Sequence, residues 1–319
     1  MKAVVQDRYG GPEVLRLSDL PVPEPDKGEI RVRVLACAVN LSDWEYLTGS
    51  PFYARMVGGL LRPKRAVLGS DIVGLVDALG PGVTGFTDGQ RVMGDLVMQR
   101  GGFAELACVR ADHVVPVPGA LSDETAACLP QAGGIAVAGT EGLRAGDRLL
   151  INGAGGGSGT MALQLAKAAG AHVTAVDNAG KTGWLRDLGA DEVIDYRERD
   201  FTETDETWNR ILDMVATRGP SRIARALASG GVYRAVGGEV SVLLRLILGG
   251  LRFRFQKKSI GLLMVPSGAE LTARVAQMAV GGRITPHLDG VFPLEGVPEA
   301  LARTGQGEVK GKLVIRPDL

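Results

Sequence analysis

Aromatic side chains are scarce in this chain, with 3 Trp, 5 Tyr and 7 Phe among 319 residues. Surfaces that hold single-stranded nucleic acid stack bases on aromatic rings, so the shortage argues against that class of partner. An excess of charge of either sign is missing too. The 36 Lys and Arg balance 36 Asp and Glu, which leaves no global attraction for nucleic acid or an anionic membrane. Cysteine is limited to Cys37, Cys108 and Cys128. Three widely spaced residues without a C-x-x-C pair form no disulfide framework and suggest a reducing compartment. No apolar run approaches the roughly 20 residues needed to span a bilayer. The chain opens on strand-like MKAVV, which reads as no signal peptide. The expectation is a cytoplasmic protein with no nucleic-acid partner and no stable membrane insertion.

Glycine, by contrast, is plentiful at 46 residues, and its densest cluster organises the chain. Gly146 to Lys167 reads GDRLLINGAGGGSGTMALQLAK. This is a short apolar strand, a tight turn, then helix-forming residues from Thr160 to Ala169, stopped by Gly170. The dinucleotide fingerprint G-x-G-x-x-G is met with one substitution: Ala154 stands at the first glycine, Gly156 and Gly159 at the others. Gly156 lets the backbone approach a pyrophosphate, and Gly159 lets the helix pack close to the strand. Gly155, Gly157 and Ser158 complete the turn. Ser158 and Gly159 fall near the helix start, where free N–H groups and the helix dipole attract phosphate. A second apolar run, His172 to Val176, ends in Asp177. That acid lies about 20 residues beyond the glycines, where a ribose-binding carboxylate belongs. A flexible loop would explain the glycines alone, but not the strand and helix on either side.

The length suits two domains with substantial cores. Residues 1 to about 118 read as short strands punctuated by Gly and Pro: Lys2–Gln6, Val14–Leu17, Glu29–Ala38, Asp71–Leu79, Val92–Leu96, Phe103–Val109 and His113–Val117. In Glu29–Ala38, Ile30, Val32, Val34 and Ala36 alternate onto one face. This pattern suggests a compact β-barrel-like module. Helix then begins near Asp123, with Ser122 as its N-cap. Strands near 148–153, 172–176, 192–195, 209–215, 231–236 and 259–265, separated by helices such as 158–169, 181–188 and 220–229, predict a doubly wound parallel sheet. Ligand is expected at the carboxyl ends of those strands, near Asp177 and Asn178, Val215 to Thr217 with Ala216 between, and Val236, Gly237 and Gly238. The tail from about 268 holds a helix, then Val291–Leu294 and Lys312–Ile315.

Ten residues of the glycine stretch, Gly146, Asp147, Leu150, Ala154, Gly155, Gly156, Gly157, Gly159, Gln164 and Lys167, carry a family resemblance. The segment resembles the signature of zinc-independent quinone oxidoreductases of the medium-chain dehydrogenase/reductase superfamily. The likeness runs over most of the chain, from MKAVVQDRYGGPEVL to GKLVI. It implies a GroES-like β-barrel catalytic domain over 1–118 and 268–319, made discontinuous by the returning tail. A Rossmann dinucleotide-binding domain would occupy 119–267. It also implies a homodimer.

Two signals conflict over the cofactor. A carboxylate at Asp177 favours NADH, because it accepts from a ribose 2′-OH and repels a 2′-phosphate. The resemblance implies that Lys181 and Tyr196 hold that phosphate, so NADPH is the expected cofactor, with NADH left open by Asp177. The plainer alternative makes Lys181 a solvated lysine and Tyr196 a packing residue. The zinc alcohol dehydrogenases of the superfamily place a Cys and a His-Glu pair where this chain has Asn40, Ser70 and Asp71. Asn and Ser are poor zinc ligands, so no metal is expected.

Without a metal, the reaction implied is hydride transfer to a quinone or an α,β-unsaturated carbonyl, with the protein supplying position and electrostatics. Asn40 and Asp43 match the family's N-x-x-D motif. Asn40 is expected to offer its amide N–H to a substrate oxygen; the alternative is that the pair caps the turn after strand 29–38. Tyr46 and Tyr53 are candidate proton donors, with solvent as the other source. Phe52 to Lys64 reads as a lid or wall, or else as a surface helix. Val240 to Lys258 reads as helix plus strand at a subunit interface or beside a cleft, with membrane-surface contact as a weaker option. Two other functions stay open: an enoyl-thioester reductase, and an NADPH-binding structural or regulatory protein with little turnover.

Overall fold

The computed structural model describes residues 1–266 and 268–319, with every side chain among them except that of Arg254. The chain begins with β1 (Lys2–Val5), β2 (Arg16–Asp19) and β3 (Glu29–Ala38). Helices α1 (Leu41–Thr48) and α2 (Phe52–Gly58) follow, then β4 (Asp71–Leu79), β5 (Arg91–Asp95), β6 (Leu106–Arg110) and β7 (Val114–Pro116). Helices α3 (Asp123–Ala127) and α4 (Pro130–Thr140) lead into β8 (Arg148–Asn152), α5 (Gly157–Ala168), β9 (His172–Asp177), α6 (Ala179–Asp187) and β10 (Glu192–Asp195). Next come β11 (Trp208–Asp213), α7 (Pro220–Ala226), β12 (Leu227–Ala235), α8 (Val240–Gly250) and β13 (Ser259–Leu262). The tail contains α9 (Ala269–Val280), β14 (Leu288–Phe292), α10 (Val297–Gly305) and β15 (Lys312–Ile315).

The chain divides into two compact units, Met1–Gly134 with Pro266–Leu319, and Ile135–Val265. In the first, a seven-stranded sheet runs β14-β15-β3-β4-β5-β7, with β6 paired to β3. β3 is its spine: it pairs antiparallel with β4, β6 and β15. Its alternation buries Ile30, Val32 and Val34, but the register against β4 slips between Val34 and Ala36, and beyond the slip Ala36, Cys37 and Ala38 are all buried. An irregularity of this kind bends the strand and re-aims its side chains. Val32, Ile72, Val92, Phe103 and Leu301 belong to the core this sheet closes over.

The second unit is a six-stranded, wholly parallel sheet, ordered β10-β9-β8-β11-β12-β13. The strands are fed by helical crossovers, as predicted. Leu150, Val176, Trp208, Ile211 and Tyr233 are among its core residues. The order reverses between β8 and β11, which is the switch point where such sheets bind ligand.

Several boundaries differ from expectation for physical reasons. Pro12–Val14 forms a 3-10 turn that buries Val14, so β2 starts at Arg16 rather than Val14. β14 covers Leu288–Phe292 rather than 291–294, because Pro293 has no N–H to donate and opens a turn instead. α4 escaped detection because its buried residues are small and spread round the helix. A Cβ on Gly133 would press into Val275, and one on Gly139 would meet Leu212. No helix among the described residues is long and apolar enough to cross a membrane.

Candidate functional site

In the second unit the glycine turn joins β8 to α5. Gly153 has φ +85°, a left-handed backbone that favours glycine. A Cβ on Gly159 would stand 2.5 Å from the carbonyl oxygens of both Gly153 and Ala154, so helix and turn touch there. A Cβ on Gly156 would meet nothing nearer than the Gly153 carbonyl oxygen at 3.7 Å, so this backbone faces open space. Close packing at Gly159 and openness at Gly156 are what a pyrophosphate cradle needs. Gly157 and Ser158 begin α5, and Ala154 is buried, its N–H donating to Val176 O at 3.1 Å.

Asp177 ends β9 with only 7% of its surface exposed. Its Oδ2 accepts from the Gly155 N–H at 2.7 Å. Its Oδ1 accepts from the Asn178 backbone at 2.9 Å and from the Asn178 amide at 3.1 Å. Lys181, itself 5% exposed, folds back to place Nζ 3.5 Å from Oδ1. The carboxylate thus braces the glycine turn and shares its charge with a lysine one helical turn on. Asn178 Oδ1 caps α6 by accepting from Gly180 N–H. Tyr196 donates its backbone N–H to Asp177 O at 3.1 Å while 47% of its surface stays exposed. Neither plain alternative for this pair holds: Lys181 is not a solvated lysine, and Tyr196 is not tucked under the sheet.

Three residues that the sequence reading passed over shape the neighbouring loops. Asp213, wholly buried at the end of β11, accepts from Asn152 Nδ2 at 2.7 Å, from the Val215 and Ala216 N–H groups at 2.9 and 2.8 Å, and from Tyr233 Oη at 2.9 Å. Burial and the facing carboxylate push the Tyr233 phenol up, so it remains a donor. Ala216 adopts φ +46°, an uncommon conformation for a residue with a Cβ. Gly238, at φ +123°, comes up against it: an added Cβ would lie 3.0 Å from Ala216 Cβ. Thr217 is exposed, while Val236 and Gly237 are half-buried beside this contact. The signal for Asp213 was a lone acid ending an apolar strand, as at Asp177.

In the first unit Asn40 caps α1. Asp43 completes a capping box, with Oδ2 accepting from the Asn40 N–H at 3.0 Å. Asp43 has no exposed surface. Its Oδ1 also accepts from Gly69 N–H at 3.2 Å and from Arg100 Nη1 at 2.9 Å, and Ser70 Oγ lies 3.4 Å from Oδ2. Burial raises the Asp43 pKa against the opposing pull of Arg100. Asn40 is 6% exposed. Nδ2 donates to Ser70 Oγ at 3.0 Å, while Oδ1 accepts from Lys312 Nζ at 2.5 Å. One amide N–H of Asn40 and its oxygen are thus engaged, and the pair also forms the capping box of α1. Tyr46, on α1, lies face-on beneath the Arg100 guanidinium, 3.5 Å from Cζ to ring centre. Tyr53 is half-buried on α2, a separate segment.

Asn40, Ser70 and Asp71 do converge, as their alignment with zinc ligands predicted. The centre of the group is cationic: Lys312 Nζ donates to Asn40 Oδ1 and to Val39 O at 2.9 Å. Burial pushes Asp71 well up, as does repulsion from Asp95, which it faces across the β4–β5 ladder. Cys37 is likewise pushed up by burial and by Asp43 and Asp71. An amide, a hydroxyl, a protonation-prone carboxyl and an ammonium do not fit Zn²⁺, which wants thiolate, imidazole or carboxylate donors.

Comparison with known proteins agrees with this geometry. Residues 26–119 match the alcohol dehydrogenase GroES-like domain, and residues 188–315 match a family described as zinc-binding dehydrogenase. The chloroplastic quinone-oxidoreductase QR1 of Triphysaria versicolor is 30% identical over 333 residues, covering 99% of this chain and 98% of that protein. The 2-methylene-furan-3-one reductase of Solanum lycopersicum is 29% identical, covering 99% and 79%. The structure of the quinone oxidoreductase from Coxiella burnetii superposes with a TM-score of 0.86 at 27% identity over 99% of each chain. A mycobacterial protein complexed with NADPH superposes with a TM-score of 0.83 at 25% identity, covering 99% of this chain and 100% of that one. The chain belongs to the quinone oxidoreductase family of the medium-chain dehydrogenase/reductase superfamily.

Proposed function

We propose that this oxidoreductase moves hydride from NADPH, in preference to NADH, to a small quinone or α,β-unsaturated carbonyl without a metal. The observation that carries the reading is the open backbone at Gly156 beside the helix-packed Gly159, at the switch point of a parallel sheet. Residues 154–159 would hold the pyrophosphate, and Ala216, Thr217 and Val236 to Gly238 would flank the rest of the dinucleotide. When bound, the nicotinamide supplies the hydride. The chain's own residues supply position: Asp177 holds the Gly155 N–H in place, and Asp213 fixes the 215–216 turn.

The preference for NADPH rests on the Asp177–Lys181 pair. A carboxylate partnered by an ammonium repels a 2′-phosphate far less than a bare one, and the exposed Tyr196 is free to donate to it. We assign Asn40 and Asp43 to ordering the first unit's site, with the oxygen-borne product protonated by solvent, Tyr46 or Tyr53. In this reading 1–118 and 268–319 form the catalytic domain, 119–267 the dinucleotide-binding domain, and the protein acts as a cytoplasmic homodimer.

The test is oxidation of NADPH and of NADH with a panel of quinones and enones. Turnover with NADPH above NADH supports the reading. Tight cofactor binding without turnover on any acceptor refutes it and favours a thioester substrate or a non-catalytic role.

A further inference from the structure

In the second unit, α8 is apolar on two sides. Its inner side is Val242, Leu246 and Gly250, four residues apart and all buried. Val242 and Leu246 belong to the unit's core. A Cβ on Gly250 would stand 2.7 Å from the Ile260 carbonyl oxygen of β13, and one on Gly249 2.7 Å from Pro220 Cγ, so the helix is seated tightly. Its outer side is Leu244, Ile247, Leu248 and Leu251, at i, i+3, i+4 and i+7, and all four are exposed. The chain continues through a 3-10 turn, Leu251–Gln256, in which Phe255 is 95% exposed. A helix that serves only its own fold needs one apolar side. Single exposed leucines are ordinary, but a continuous stripe of this kind marks a contact surface.

Charge selects the partner. Between Glu239 and Glu270 the chain carries Arg245, Arg252, Arg254, Lys257 and Lys258 and no acid, although its charge as a whole is balanced. Arg245, Arg252 and Lys257 are exposed beside the apolar stripe. A second copy of the chain, seated here by two-fold symmetry, would set these cations against their own kind with no acid in the segment to offset them. A bilayer with anionic headgroups offers the reverse, hydrocarbon for the stripe and negative charge for its flanks.

We propose that α8 and the turn after it seat the protein on an anionic phospholipid surface. Leu248 and Phe255 enter the boundary between headgroups and acyl chains, and Arg245, Arg252 and Lys257 meet the headgroups. The contact is peripheral: α8 has 11 residues, about half of the roughly 20 that a span needs. Subunit pairing is left to another face. The proposal concerns membrane contact alone, so it stands or falls separately from hydride transfer.

The test is co-sedimentation of the full chain with phosphatidylcholine vesicles containing about 30% phosphatidylserine, and with phosphatidylcholine alone, over a range of salt. The chain binds the mixed vesicles about tenfold tighter than the neutral ones, and the margin shrinks as salt rises. Leu248→Ser with Phe255→Ser, both at exposed positions, weakens binding to the mixed vesicles about tenfold. Arg245→Gln with Lys257→Gln removes most of the preference for anionic lipid. Leu61→Ser, at an exposed leucine of the first unit, leaves binding unchanged. Equal binding to both vesicles, wild-type binding by the folded Leu248→Ser/Phe255→Ser variant, or an equal loss with Leu61→Ser overturns the proposal. So does a dimer in analytical ultracentrifugation that Leu248→Ser/Phe255→Ser dissociates, which would give the face to a second copy of the chain.

Discussion

Buried carboxylates govern how the first unit responds to pH. Burial raises the Asp95 pKa to about 6, above the ~3.9 of an exposed aspartate. The folded chain therefore binds this proton more tightly than the unfolded chain. The resulting stabilisation is fully present below about pH 4 and is lost as pH rises through about 6. At pH 8 the ionised group stands as a cost of up to about 3 kcal/mol. Asn in its place still accepts the Val97 N–H that Oδ1 now accepts, and it removes the charge facing Asp71. Asp95→Asn is expected to raise the melting temperature at pH 8 and to change it little at pH 4. A second residue-scale prediction concerns Asp177. Asp177→Asn keeps an acceptor for the Gly155 N–H and releases Lys181 from its only charged partner among the described ion pairs. Titration with both cofactors is expected to shift the affinity ratio severalfold toward NADPH. An unchanged ratio would mean the pair does not face the ribose.

At the scale of an element, the glycine turn separates folding from binding. Gly159→Ala drives a Cβ into two backbone carbonyls, and such overpacking costs typically about 1–3 kcal/mol. Gly156 has φ −86°, which any residue adopts, and open space beyond it. Gly156→Ala is therefore expected to melt like the wild type yet bind NADPH much more weakly, whereas Gly159→Ala loses both. Paired thermal melts and cofactor titrations check this. The two roles were legible in sequence because Gly156 and Gly159 sit at fixed offsets after an apolar strand. The same holds for β3, whose long alternating run predicted Glu29–Ala38 to the residue, and Asp71–Leu79 was likewise predicted to the residue. What sequence hid was side-chain partnership at a distance. Nothing in a linear string says that Lys312 reaches Asn40 across 272 positions, or that Arg100 turns onto Asp43. Those contacts draw Asn40 and Asp43 into a buried polar network. α4 stayed hidden for a different reason: its buried Ala132, Gly133, Ala136, Val137 and Gly139 are small and spread round the helix, so they leave no amphipathic period.

The whole molecule comprises two compact units. One is a parallel sheet with its loops braced at the switch point by Asp177 and Asp213. The other is a mostly antiparallel seven-stranded sheet whose would-be metal position holds the Lys312 ammonium. Because positive charge there is built into the chain, metal removal is expected to leave catalysis intact. The most direct test is turnover of a quinone and an enone with NADPH deuterated at the transferable position, in the presence of a strong zinc chelator. The account predicts an undiminished rate and deuterium on the β-carbon of the reduced enone. A rate that collapses with chelator and returns on adding Zn²⁺, or a product without deuterium, would contradict it.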